Sequence, residues 1–502
     1  MNKKYIVKSS IKQLKQFSLL LLLLMGFNVS AQTSSVTNSD LFEKQKTGLF
    51  VIQSVDITSG NKTSVGSGFR LSESGLLASN YHVVSDHVLH PDEFELQFVN
   101  SNDEQGEVKV VAVDVINDLA LLQVTKVLEA DNPAANDETS VQTVIGSRLN
   151  EEEVADAEAV VVLSRSDIDA LEEGTNLSGL LENLQDIPVL KGQIVHPKWV
   201  FELAYELPLQ GDDVIAMGNP YDIGLSLVPG IFNGITSKGF KKNIHFTGAL
   251  NPGMSGGPAV DREGKVVGVN VAGAGNSVSF LVPVEKLSAL LERYQNSSDP
   301  QVDMRQSINN DLLEHQAQVI DDLLSEEWQL EAFGPLMVPM EIRDYVDCSA
   351  ATTGAEDGLS YEFHSSDCGV HDRIYLSRNF DTGTVEFDYG WYKSEVLNTY
   401  QFYKIMEGIS FSAFNRTSIK DVTTFSCHQD VQQFPALDPV PFQSTFCVRT
   451  YTDYNDMYDV LFYAKSLLDH SEGVYLHYTL AGVSKAKADA FNERFVGAVQ
   501  WK

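Results

Sequence analysis

Ser255 stands in a run of turn-forming residues, Gly253-Met254-Ser255-Gly256-Gly257-Pro258, with apolar strand-like runs on both sides. A hydroxyl projecting from such a turn can attack a carbonyl if nearby backbone N–H groups converge where negative charge will develop. Glycine permits the backbone angles that aim those N–H groups without a Cβ clash. The attack also needs a base to take the hydroxyl proton and a group that orients the base. His82 follows the apolar run Leu76-Leu77-Ala78 closely, and Asp118 leads into Leu119-Ala120-Leu121-Leu122. The chain order His82, Asp118, Ser255 is one in which a Ser–His–Asp relay is built. His87 and His90 lie near His82, but no matching carboxylate pair fixes a ligand geometry, so neither a metal nor a cofactor is expected. Asp114 is the rival carboxylate to Asp118.

Several ordered stretches resemble the trypsin-like serine peptidases, most closely the HtrA/Deg branch, over roughly residues 45–290. They are Gly66-Ser67-Gly68-Phe69, Asn80-Tyr81-His82-Val83-Val84, Asn117-Asp118-Leu119-Ala120, Gly218-Asn219-Pro220 and the Ser255 turn. The resemblance implies a mainly β fold of two six-stranded barrels of the chymotrypsin type. It also implies amide hydrolysis of protein or peptide substrates through an acyl-enzyme. His82 is then the base, Asp118 its orienting partner, and the N–H groups of Gly253 and Ser255 the oxyanion hole. By the same analogy the base of the primary pocket falls at Ala249, with Val269, Asn270 and Val271 along one wall. With no acid at that base, cleavage after small or medium apolar residues is expected. Two positions depart from the family pattern. Met254 precedes the serine where asparagine or aspartate is usual, and Thr247 stands where the HtrA branch commonly has aspartate. The alternative expectation is a binding or scaffold protein on a peptidase fold that has lost turnover.

The elements that must position these residues are legible as short apolar runs punctuated by Gly, Ser, Asn and Asp from Gly48 onward, the pattern of many short strands. A first barrel runs to about Leu128 and a second occupies about 199–283, within a peptidase domain over 45–295. Between them lies an acidic insertion, about 130–198. Its residues 151–190 hold 11 acidic side chains and one arginine, Arg165, and Leu171, Leu177, Leu180, Leu181 and Leu184 suggest an amphipathic helix. Residues 296–335 read as linker and helix, with Ile308, Leu312, Leu313, Val319, Ile320, Leu323 and Leu324 at helical spacing.

Residues 336–502 change character. Between 361 and 480 there are 24 aromatic side chains, twice the average density of the chain. Alternating runs and a closing helix over 486–499 imply a separate α+β domain, whose aromatics serve chiefly as core. All four cysteines lie here. Three connectivities exist; Cys348–Cys368 and Cys427–Cys447 are favoured because each closes a local loop. A role for this domain in holding the peptidase to a surface glycan or partner is a further expectation.

The net charge of −33 argues against nucleic-acid phosphates and anionic lipid as partners. Lys3, Lys4, Lys8, Lys12 and Lys15 precede the apolar stretch Phe17–Phe27 and the small-residue site Val29-Ser30-Ala31. That is the pattern of a secretion signal over 1–31, cleaved near Ala31, followed by a flexible segment over 32–44. A periplasmic or secreted protein without stable membrane insertion is expected, in a compartment that permits disulfides.

Overall fold

The computed structural model describes residues 37–128, 143–144, 159–160, 199–275, 278–297, 303–370, 372–413, 415–467 and 471–502. The expected secretion signal and the leucine-bearing helix of the acidic insertion lie outside the described residues. Two compact units are present, 1–41 and 42–502, and the second holds both barrels and the C-terminal sheet. Helix α1 (Asn38–Gln45) stands where a flexible segment is expected. The Thr37 hydroxyl accepts from the Asp40 amide at 3.1 Å and the Asp40 carboxylate accepts from the Thr37 amide at 3.2 Å. This reciprocal cap satisfies amides that a polar segment would otherwise give to water.

Strands β1 (Leu49–Asp56), β2 (Lys62–Arg70), β3 (Leu76–Ser79), β4 (Phe94–Asn100), β5 (Gln105–Asp114) and β6 (Leu119–Leu128) close into an antiparallel barrel in the order β1-β2-β3-β6-β5-β4. The two-residue strands β7 (Thr143–Val144) and β8 (Ala159–Val160) pair in parallel within the insertion. A second closed barrel has the order β10-β11-β14-β13-β12-β9, from β9 (Asp213–Gly218), β10 (Ser226–Ile235), β11 (Ile244–Phe246), β12 (Pro258–Val260), β13 (Val266–Gly275) and β14 (Val278–Pro283). Closure removes the open sheet edges that such short strands would otherwise expose. Each barrel therefore offers rigid strand ends on which loops can be hung, and the three residues singled out above all sit in such loops or just past them.

After helix α3 (Val284–Asn296), helix α4 (Met304–Leu324) joins the two parts of the unit. Its first half sends Ile308 and Leu312 into a core shared with Phe50, Leu77 and Phe98 of the first barrel. Its second half sends Val319, Ile320 and Leu323 into the core of the C-terminal domain. A small sheet follows, β15 (Leu330–Phe333) and β16 (Leu336–Pro339), completed at the chain end by β26 (Gln500–Trp501). The main C-terminal sheet has seven antiparallel strands. They are β17 (Asp347–Thr353), β18 (Glu362–Val370), β21 (Val385–Lys393), β22 (Ser426–Gln433), β23 (Pro441–Thr450), β24 (Tyr458–Ser466) and β25 (Glu472–Val483), in the order β17-β18-β21-β25-β24-β23-β22. The hairpin β19 (Ile374–Ser377) and β20 (Phe380–Thr382) projects from this sheet, and helices α5 (Thr399–Gly408) and α6 (Lys485–Ala498) complete the domain.

The disulfides are Cys348–Cys368 and Cys427–Cys447. Each joins residues directly opposite in register, one pair across β17 and β18, the other across β22 and β23. They clip the two outermost strands of the sheet to their inner neighbours, where an unclipped edge would fray most easily. The aromatics are largely core: Tyr389 stacks on Phe495 at 5.8 Å and Tyr478 meets Phe491 at 5.3 Å. The domain has its own sheet, but it is less separate than expected. Ile374, Leu376, Phe380, Val422, Tyr451, Tyr454 and Met457 share one apolar cluster with the first barrel. Among the described residues no helix is long and apolar enough to cross a membrane.

Candidate active site

Asp118 is built into the turn between β5 and β6 at φ 57°, a left-handed conformation that aspartate adopts more readily than most side chains. The segment Asn80-Tyr81-His82, which starts helix α2 (Tyr81–Leu89), wraps it. Asn80 Nδ2 and the Tyr81 amide donate to the Asp118 carbonyl at 2.7 and 3.2 Å. The His82 amide donates to Asp118 Oδ1 at 2.9 Å, and His82 Nδ1 meets Asp118 Oδ2 at 2.7 Å. Both carboxylate oxygens are thus engaged by one residue, which fixes the imidazole plane and puts the Nδ1 proton on the aspartate side. The rival Asp114 is accounted for: its carboxylate accepts from the Asn117 amide at 3.0 Å and from Asn117 Nδ2 at 2.7 Å, closing the turn that presents Asp118. His87 Nδ1 lies 2.7 Å from the Phe94 carbonyl, and no cluster of three potential metal ligands occurs among the described residues.

The His82 side chain keeps 29% of its surface exposed. Burial works against its charged form. The Asp118 carboxylate outweighs that, through charge and the Nδ1 hydrogen bond, while Lys241 opposes it, so the imidazole ends above its ordinary value. A base must be neutral to accept a proton. The kcat/KM of any hydrolysis that uses His82 is therefore expected to fall as pH drops through a value above about 6.5, the ordinary imidazole pKa. The linked contribution to stability has the opposite sense: it is full below the unfolded pKa and is lost as pH rises through the folded one. A pH–rate profile with its acidic limb centred below the ordinary histidine value would contradict this assignment.

Ser255 lies in the turn between β11 and β12. Strand β2 of the other barrel holds this turn in two places: the Ser67 amide donates to the Ser255 carbonyl at 2.7 Å, and Ser67 Oγ donates to the Gly253 carbonyl at 2.7 Å. Ser67 Oγ also accepts from the Asn219 amide at 2.9 Å. Gly253 is at φ 94° and Gly256 at φ 84°. A Cβ on Gly256 would collide with the Ser67 carbonyl and the Ser79 hydroxyl, and would lie 2.9 Å from the Asn80 amide nitrogen. The Ser255 turn therefore abuts the segment that carries His82. Among the described residues neither the Gly253 nor the Ser255 amide donates to a protein acceptor, so both N–H groups remain available to a ligand oxygen. The Ser255 hydroxyl itself donates to the Val271 carbonyl at 2.8 Å rather than to the imidazole.

The strain at Gly256 makes a direct test. Gly256→Ala combines a left-handed alanine with a backbone collision, an expected loss of about 2–4 kcal/mol together with the activity of the turn. Chemical unfolding that gave the variant a wild-type midpoint would contradict the packing described.

Of the residues expected to line the primary pocket, Ala249 is exposed and Val271 half-buried. Val269 is fully buried, and so is Asn270. The Asn270 side chain faces inward: Nδ2 donates to the Met217 and Met254 carbonyls at 2.9 and 3.2 Å. It therefore braces the nucleophile turn from below rather than lining a pocket, a correction to the expected wall. Met254 is also fully buried, in the second barrel's core with Val214, Phe246 and Leu281. An apolar side chain before the serine is thus a packing choice. Thr247 accepts from Asn233 Nδ2. Ser67, Asn80 and Asn219 were visible only as parts of motifs; their hydrogen bonds to carbonyls and amides far along the chain leave no mark in the sequence.

Residues 66–269 match the family model of the trypsin-like peptidase domain. The chain is also 32% identical over 98 residues to Protease Do-like 1, chloroplastic, of Arabidopsis thaliana, covering 17% of this chain and 22% of that protein. It is 31% identical over 149 residues to the probable periplasmic serine endoprotease DegP-like of Brucella suis biovar 1, strain 1330, covering 27% and 28%. This stretch is a trypsin-like peptidase domain, similar to those of the HtrA branch. The matched stretches span about a fifth to just over a quarter of these two relatives' own length. A solved structure, the serine endoprotease from Yersinia pestis, is similar at 17% identity and a TM-score of 0.32, over 51% of this chain and 66% of that one. The matched stretch takes in His82, Asp118 and Ser255 and most strands of the two barrels, but not β1 or β14, and the C-terminal sheet lies beyond it.

Proposed function

We propose that the chain is an exported serine endopeptidase that hydrolyses protein substrates through an acyl-enzyme. Ser255 Oγ attacks the scissile carbonyl, His82 Nε2 takes its proton and returns it to the leaving amine, and Asp118 stabilises the imidazolium formed in between. The amides of Gly253 and Ser255 receive the oxyanion; losing one such donor typically costs on the order of 10²–10³ in rate. The observation that carries this reading is the 2.7 Å bond between His82 Nδ1 and Asp118 Oδ2, set beside a serine turn whose backbone is pinned to the neighbouring barrel. Relatives named as serine endoproteases support it. Export is supported by the lysine-then-leucine N-terminus and by the relative named periplasmic.

Specificity follows from the exposed Ala249 and the absence of an acid at that position. Cleavage falls after small or medium apolar residues. A peptide panel varied at the residue before the scissile bond, read by mass spectrometry, is expected to favour alanine, valine and leucine over lysine and arginine. Strict cleavage after lysine or arginine would sink the specificity while leaving the chemistry intact. A second reading, a binding protein without turnover, is favoured by the resting hydrogen bond from Ser255 to the Val271 carbonyl. Catalytic cleavage of an unfolded protein such as casein, many turnovers per chain, separates the two.

A further inference from the structure

The hairpin β19–β20 of the C-terminal domain reaches across to helix α2, and its Tyr375 ring packs against the side chain proposed as the base. The ring centroids of Tyr375 and His82 lie 6.0 Å apart with planes inclined at 75°. The same tyrosine ring stands 6.4 Å from that of Tyr81, inclined at 72°. The next residue of the hairpin is fixed as well, because Tyr81 Oη donates to the Leu376 carbonyl at 3.0 Å. From the opposite side the loop 236–243 of the second barrel clamps the hairpin root. The Lys241 amide donates to Asp372 Oδ2 at 2.7 Å, and Lys241 Nζ donates to the Arg373 carbonyl at 2.6 Å. A Cβ on Gly239, at φ 78°, would collide with the Asp372 carboxylate, so the loop lies directly against that side chain. Three parts of the fold, both barrels and the C-terminal domain, meet around one imidazole.

We propose that Tyr375 is a positioning residue for the His82 imidazole, so that the C-terminal domain forms one wall of the active site. This rests on the peptidase reading above. Asp118 grips only Nδ1 and the His82 amide, which fixes one edge of the ring. A ring held at one edge can still tilt, and the proton it must receive arrives at the other edge. Misplacement by about 1 Å is enough to cost on the order of 100-fold in rate. The edge-to-face tyrosine blocks the tilt on the hairpin side. Its hydroxyl has a weak part in this: the contact with Ser85 Oγ is long, at 3.5 Å. The ring, not the hydroxyl, does the positioning, and the seven-stranded sheet behind it is tied by α4 and by the shared apolar cluster to the first barrel.

The test uses the full chain with Tyr375→Phe, Tyr375→Leu and Tyr375→Met. Each is assayed for kcat and KM on a cleaved peptide, for the rate of Ser255 modification by a fluorophosphonate, and for its melting midpoint. Tyr375→Phe should stay within about twofold of wild type, while the leucine and methionine variants lose about tenfold or more in kcat with KM nearly unchanged and labelling slowed in proportion. A role in folding alone would lower the midpoint and leave kcat as it was. Wild-type kcat in a folded Tyr375→Leu, or an equal loss in Tyr375→Phe, overturns the proposal and leaves the peptidase reading standing. Wild-type protein that takes no label overturns both. If neither the leucine nor the methionine variant folds, the ring serves the fold and the proposal fails.

Discussion

Ser255→Ala is expected to lower kcat by about 10⁶-fold, since the nucleophile and its base act as a unit and removing either forfeits nearly the whole relay. Binding should change little, because the hydroxyl is small and the alanine turn can keep the carbonyl bond to the Ser67 amide, 2.7 Å long in the native chain. Among the described residues the partner of the hydroxyl in the resting state is the Val271 carbonyl, at 2.8 Å. Losing that bond costs about 1 kcal/mol of stability, within the ordinary range for one hydrogen bond. Activity and stability therefore separate in this variant. A residual rate well above that of water would survive from the amides of Gly253 and Ser255 and from substrate binding. Turnover assays on protein free of wild-type carry-over, alongside an unfolding curve, read both. Activity within tenfold of wild type would exclude Ser255 as the nucleophile.

The second large effect belongs to Asp118→Asn, with an expected loss of about 10⁴-fold in kcat. Asparagine has nearly the same shape and tolerates the left-handed backbone at this position, φ 57° in the native chain. The fold should survive, with the carbonyl still held by Asn80 and Tyr81. What changes is the partner offered to His82 Nδ1. One carboxylate oxygen now accepts the His82 amide and the other faces Nδ1 at 2.7 Å. In the variant, keeping the amide bond turns an NH₂ group toward Nδ1. The imidazole then moves its proton to Nε2, where it cannot accept one from Ser255. The acidic limb of the pH profile should shift down as well, since the carboxylate charge that raises the imidazole is gone. A variant with unaltered kcat would show that Asp118 holds only the backbone of helix α2.

The proposed relay could be read from the sequence because each of its members sits in a short motif dictated by its own turn. Asp118 must be a residue that accepts a left-handed backbone, Gly253 and Gly256 must be glycine, and the strands beside them alternate visibly. The barrels follow from the same short runs. Contacts between distant segments were not legible. The two hydrogen bonds of Ser67 to residues 253 and 219 depend on one barrel facing the other, and nothing local to Ser67 announces them. Asn270 was expected on a pocket wall because motif spacing fixes position along the chain but not the carbonyls of Met217 and Met254 that its side chain meets. Met254 reads in the sequence as a departure from the family pattern, and its burial in the second barrel supplies a reason. In the C-terminal domain the favoured cysteine pairs are the ones formed, yet their placement at both edges of one sheet required the strand order. The docking of that domain on helix α2 was invisible for the same reason: Tyr375 and Leu376 are ordinary strand residues until the hairpin is placed against Tyr81 and His82.

The central claim is that the hydroxyl of Ser255 is activated by an imidazole in hydrogen-bonding reach once substrate or inhibitor occupies the turn. Reaction of the full chain with a fluorophosphonate, followed by mass spectrometry of the modified peptide, tests this most directly. One adduct per chain on Ser255 is expected, formed rapidly in wild type and lost in His82→Ala although the serine is still present. No adduct in folded wild-type protein, or an adduct on Ser255 that forms equally fast without His82, would contradict the account.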